Sequence, residues 1–206
     1  MMPSRSSIIQ EVELMHEDGS ATMMAYYYFD FRDVKKQDCD GLLSSLILQL
    51  SAQSDSCYNI LSQFYSDNRR GIRTPGIIAL KMCLKDMLSL PGQGSIYIIV
   101  DALDECPNFP GTPSAREKVL NLIEYLVGLE LPNVHLCVAS RPEMDIRMVL
   151  EPLTTLKISL HDEIGQKEDI VKYIESVVRS DQSMRRWKEE DMQLVVNTLS
   201  GKADGM

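Results

Sequence analysis

Two hydrophobic rhythms alternate along this chain, one with the spacing of helices and one continuous enough for buried strands. In "SSIIQEVELM", Ile8, Val12 and Met15 recur at helical spacing and predict a helix over 4–17. "MMAYYYFDF" is an unbroken apolar and aromatic run, which predicts a strand over 23–31. "GLLSSLILQL" then puts Leu42, Leu43, Leu46, Ile47 and Leu50 on one helical face, and further helices follow near 56–66 and 75–89. "PGQGS" interrupts the chain before a second strand, "IYIIVD". Ser114 is placed to cap a helix carrying Val119, Leu122, Ile123, Leu126 and Leu129. "VHLCVAS" (134–140) reads as a strand, "MDIRMVLEPL" as a brief helix and "TLKISL" (155–160) as a last strand. From Asp162 the pattern turns wholly helical. Ile170, Val171, Ile174 and Val178 make one stripe, and Met192, Val195, Val196 and Leu199 make another.

Strands this apolar, separated by helices, predict an α/β fold with a parallel sheet covered on both faces. In such sheets ligands bind beyond the carboxyl ends of the strands. Asp101, Asp104 and Glu105 stand just past one strand, and Ser140 and Arg141 just past another. The expectation is that all five share one rim.

Composition narrows the chemistry that rim can do. The formal net charge of −9 disfavours a nucleic-acid binder that works by neutralising phosphates. "RRGIR" (69–73) and "RRWK" (185–188) are short basic runs in polar surroundings and read as solvated positions. The five cysteines are scattered without a CxxC pair, as in a reducing compartment, and the three histidines lack zinc-ligand spacing. No apolar run approaches the roughly 20 residues that span a bilayer, and no signal-peptide core opens the chain, so a cytoplasmic protein with no membrane partner is expected.

Carboxylates at the end of a dry strand suit magnesium, which takes oxygen ligands and is commonly held by one or two carboxylates plus substrate phosphates. On this reading Asp101 orients the metal, and Asp104 or Glu105 polarises a water for attack on a terminal phosphate. Arg141 offsets charge on that phosphate. Acids also cap helix starts in solvent, and an arginine before Pro142 can be an ordinary loop residue.

"IYIIVDALDEC" resembles the Walker B strand of a STAND-class P-loop NTPase in its NACHT form, and "VHLCVASRPE" resembles the sensor strand of that family. "AYYYFDFRD" is similar to the second strand of nephrocystin-like NACHT modules abundant in fungal proteins, and "LSGKADGM" to the segment that closes them. The resemblance implies a three-layer P-loop NTPase-like core over 1–161, followed by a helical segment over 162–206 that leads toward a helical or winged-helix region. It also implies Mg2+ with ATP or GTP as cofactors and a switch between closed and oligomeric states. By that resemblance Asp101 serves the metal, Asp104 and Glu105 support hydrolysis, and Arg141, beside Ser140, is the sensor arginine. The partners it implies are other protein domains, either repeat or effector modules of a longer polypeptide or full-length family members.

One departure weighs against activity. GxxxxGK[ST], the loop whose backbone N–H groups and lysine cradle phosphates, occurs nowhere in the 206 residues. "GQGS" at 92–95 lacks the lysine and the spacing. The expectation is therefore a NACHT module lacking its Walker A loop and first strand, poor at binding or hydrolysing nucleotide as the chain stands. The alternative is a nucleotide-independent protein–protein interaction module derived from a NACHT domain.

Overall fold

A computed structural model describes residues 22–68, 74–109, 113–158, 164–181, 183–184 and 187–202. The helix predicted over 4–17 and the "RRGIR" loop lie outside them. Three strands, β1 (Met23–Tyr28), β2 (Ile96–Asp101) and β3 (Val134–Val138), form one sheet in the order β1-β2-β3. Both pairings are parallel, with Tyr28 opposite Asp101 and Ile96 opposite Val134. Helices α1 (Cys39–Gln53), α2 (Asp55–Asp67) and α3 (Ile77–Leu88) connect β1 to β2. Helix α4 (Ala115–Val127) connects β2 to β3, and α5 (Met144–Leu150) follows β3.

Local chemistry accounts for the boundaries. Asp38 caps α1 by accepting from the Gly41 N–H at 2.7 Å. Ser114 and Glu117 form a reciprocal capping box at the start of α4. The first strand is shorter than predicted because Asp30 folds the chain back on itself. Its carboxylate accepts from the Arg32 backbone N–H (2.9 Å) and guanidinium, which lowers the Asp30 pKa to about 2. Phe31, expected in the strand core, is therefore exposed in a loop.

The core lies on one face of the sheet. Ala25, Tyr27, Ile96, Ile98 and Val100 meet the apolar stripes of α1, α3 and α4 there. The other face carries the buried Ile99 together with Met24, Tyr26, Tyr97, His135 and Cys137, which are half-buried to exposed. The predicted strand over 155–160 is corrected. Residues 155–158 are not strand, and 159–160 lie outside the described residues. A strand needs a neighbouring ladder for its N–H and C=O groups, and β3 pairs only with β2 among the described residues.

The chain divides into two compact units between Leu153 and Thr154. The second contains α6 (Ile164–Ser180) and α7 (Glu189–Lys202). Val178 and Val196 are buried among its described residues, and Arg179 meets Glu189 at 2.8 Å in an exposed pair that adds little stability. No helix among the described residues is long and apolar enough to cross a membrane.

Candidate functional site at the sheet rim

The five residues expected at one rim do come together there, because the backbone stitches the two strand ends to each other. The Ala139 N–H donates to the Val100 carbonyl at 2.9 Å, and the Leu103 N–H donates back to the Ala139 carbonyl at 3.2 Å. Between these bonds the chain turns sharply at Ala102, whose φ of 54° is left-handed. Such a conformation is uncommon for a residue with a Cβ. Here it is held by the Ala102 N–H, which donates to the Asp101 carboxylate at 2.8 Å. A single 3-10 turn, Leu103–Glu105, follows. It drives the fully buried Leu103 inward and leaves Asp104 and Glu105 partly open at the rim.

Each acid has a distinct setting. Asp101 is half-buried, with one oxygen held by the Ala102 N–H; its other oxygen takes part in no hydrogen bond among the described residues. Glu105 likewise accepts the Phe31 backbone N–H at 3.2 Å through Oε2, which ties the acidic turn to the loop after β1. Asp104 is largely enclosed, its side chain 12 % exposed. Its Oδ1 accepts from the Arg141 backbone N–H at 3.1 Å and from the Ser140 hydroxyl at 3.4 Å, and its Oδ2 faces Arg141 Nε at 3.5 Å. Arg141 itself is 84 % exposed, so its guanidinium leaves Asp104 at little cost.

Beneath the rim lies a residue that sequence reasoning did not single out. Arg116, on α4, is buried, with a side-chain exposure of 6 %. Its Nε donates to the Cys106 carbonyl at 2.9 Å and its Nη2 to the Asp104 carbonyl at 2.6 Å. Nη1 pairs with Glu143 and, at 3.2 Å, with Asp145. Burial alone would lower the guanidinium pKa, but the hydrogen bonds it donates to Glu143 and Asp145 outweigh it and hold the pKa above its ordinary value. One cation thus fastens the acidic turn to the first residues of α5. Asn108 extends the contact, donating to Asp145 at 2.9 Å and accepting from the Ser114 hydroxyl at 3.1 Å. The signal in the sequence was a lone arginine on the apolar stripe of α4, in step with Val119, Leu120 and Ile123.

Neighbouring thiols are not reactive groups. Burial pushes Cys106 up to about 12 and Cys39 up to about 11, so both are protonated at neutral pH. Cys137, exposed on β3, is also raised, first by burial of its sulfur and then by the charge of Asp101.

Among the described residues no three His, Cys, Asp or Glu side chains converge on a common point. Asp101 and Glu105 each keep one carboxylate oxygen free of the hydrogen bonds described above. One or two such carboxylates, completed by water and phosphate oxygens, are what magnesium commonly takes. A phosphate cradle of the GxxxxGK[ST] type is not in the sequence.

The family described as nephrocystin 3, N-terminal, matches residues 5–141, a span that contains β1, β2, β3 and all five rim residues. No curated protein and no solved structure matches the chain.

Proposed function

The chain belongs to the nephrocystin 3 N-terminal family, and on that premise we propose that its rim is the magnesium side of a nucleotide-operated switch module. The module is of the NACHT, STAND-class P-loop NTPase kind. The observation that carries this reading is the acidic turn itself. Asp101 and Glu105 each have one oxygen fixed by a backbone N–H and the other unoccupied by those bonds, at the carboxyl end of a central parallel strand. Asp101 would hold the ion through its second oxygen, together with water and phosphate oxygens. Magnesium, when bound, supplies positive charge to the phosphate oxygens of ATP or GTP.

The remaining roles belong to the chain's own side chains. Glu105, oriented by the Phe31 N–H, would position a water through its second oxygen. Arg141 would turn from Asp104 toward a phosphate, and Ser140 with Asp104 would fix the backbone from which it turns. Without GxxxxGK[ST] among its residues, the chain should bind nucleotide poorly and hydrolyse it slowly. Titration calorimetry with Mg-ATP and Mg-GTP tests this directly. The expected dissociation constant is about 1 mM or weaker, on the order of 4 kcal/mol of binding free energy. Micromolar affinity would overturn the proposed weakness and require a different phosphate site.

A second reading has its own support. Asp104 already receives Arg141 and Ser140, so that acid is satisfied internally and joins the turn after β2 to the loop after β3 without a ligand. That arrangement suits a nucleotide-independent module acting through contacts with other protein domains. The two readings differ over Arg141→Ala. It should leave partner capture unchanged in the second, and remove the residual nucleotide affinity in the first.

A further inference from the structure

The sheet has two outer edges, and they are treated differently. On β3 no second partner is found among the described residues. On β1 the outward-facing peptide groups of Met24 and Tyr26 are taken by two side chains. Gln49 Oε1 accepts from the Tyr26 N–H at 3.0 Å, and its Nε2 donates to the Tyr26 carbonyl at 2.7 Å. Four residues on, Gln53 repeats the pattern at Met24, accepting from its N–H at 2.9 Å and donating to its carbonyl at 2.7 Å. Each primary amide presents one acceptor and one donor, the same pair that a neighbouring strand would offer.

The fit follows from two periodicities. Four residues of α-helix rise about 6.0 Å. Two residues of parallel strand rise about 6.6 Å. An i, i+4 pair on a helix running antiparallel to the strand therefore reaches alternate residues of its edge. Alternation also explains why Met24 and Tyr26 are the residues met. Their neighbours turn inward, with the Met23 N–H donating to the Ser95 carbonyl at 2.9 Å and the Phe29 N–H to the Asp101 carbonyl at 3.1 Å. Both amides are held in place from behind. Gln49 Nε2 donates to the Ser45 hydroxyl at 2.9 Å, and Gln53 Nε2 to the Gln49 carbonyl at 2.8 Å.

We infer that Gln49 and Gln53 close the outer edge of β1 against strand addition, so that a second copy of this chain cannot extend the sheet there. Unpaired edges are templates for association, and proteins protect them by covering them or placing charge on them. Here the cover is a pair of amides standing in for a strand. The inference does not depend on nucleotide binding.

Hydrogen exchange on the full chain tests it residue by residue. In Gln49→Met with Gln53→Met, which keeps side-chain bulk and removes both amides, the Met24 and Tyr26 N–H groups should exchange about tenfold faster or more. Ala25 and Tyr27, whose N–H groups face β2, should not change. The same variant should self-associate with rising concentration beyond the unaltered chain. In the single variant Gln53→Met, which leaves the Gln49 amide in place, the Met24 N–H should exchange faster and the Tyr26 N–H should stay protected. Unchanged exchange at Met24 and Tyr26 in the methionine pair would overturn the inference, as would equal acceleration at Ala25 and Tyr27. Should the methionine pair not fold, Gln53→Met alone decides. Faster exchange at Met24 with Tyr26 unchanged supports edge closure, and unchanged exchange at Met24 refutes it.

Discussion

Replacing Arg116 with methionine is expected to lower the unfolding free energy by about 2–4 kcal/mol, the range for stranding buried hydrogen-bond acceptors together with part of an ion pair. Methionine fills much of the same volume, so the loss comes from polar contacts. The Asp104 and Cys106 carbonyls, deep beneath the acidic turn, would be left without a donor. Glu143 and Asp145 are more exposed, at 45 % and 37 %, and would turn to water, which keeps the loss below that of a fully buried triad. Urea unfolding is the appropriate measurement, with a lower midpoint and an unchanged slope showing that stability alone has moved. Arg116→Lys should recover only part of the loss, since one ammonium group cannot reach two carbonyls and two carboxylates in the guanidinium geometry. A loss below about 0.5 kcal/mol, the scale of ordinary surface changes, would mean that the clamp contributes little.

An effect at least as large is expected from Leu103→Ala. Leu103 is fully buried between two partly open acids, and its N–H is committed to Ala139. Removing three carbons from such a site costs about 2–5 kcal/mol, through lost transfer energy and an unfilled cavity. The cavity would lie directly under Asp104 and Glu105, so the acids should lose their fixed orientation as well. Leu156→Ala provides the comparison. That leucine is 74 % exposed, and its loss should fall within about 0.5 kcal/mol of zero. Similar losses for the two variants would contradict the packing described for the acidic turn.

Much of this arrangement was readable in the residues. β2 is a short, nearly continuous apolar run that buries most of its residues, whereas β3, half-buried to exposed, was legible from its apolar and β-branched composition. Ser114 and Glu117 form a local cap that depends on residues three apart. Parallel-sheet geometry then placed Asp101, Asp104 and Glu105 beside Ser140 and Arg141 with no knowledge of side-chain contacts. What escaped the reading depends on partners distant in the chain. Arg116 meets Glu143 and Asp145 across 27 and 29 residues. Gln49 and Gln53 meet β1 across 23 and 29. Neither spacing leaves a periodic trace. The early end of β1 came from an aspartate bonding to a residue two positions on, competition that local side chains routinely offer to a ladder. Residues 155–158 were mistaken for strand because β-rich composition reports suitability for a pleated surface, not the presence of a neighbour to pair with.

Asp104 shows most clearly what sequence alone could not supply. Its position among the acids was foreseen; its pairing with Arg141 and Ser140 was not. An acid so occupied is a poor first ligand for a cation, which leaves Asp101 and Glu105 as the pair with oxygens to spare. The division of labour at the rim thus follows from which donors reach which carboxylate, and not from the order of the acids along the chain.

Titration of the chain with Mn2+ as a paramagnetic substitute for magnesium, followed by amide NMR, tests the metal role of the rim most directly. The proposed function predicts broadening centred on the amides of Asp101 to Glu105 and of Phe31, and its loss in Asp101→Asn without any change in the rest of the spectrum. Broadening centred elsewhere on the chain, or equally strong at the rim in Asp101→Asn, would contradict it.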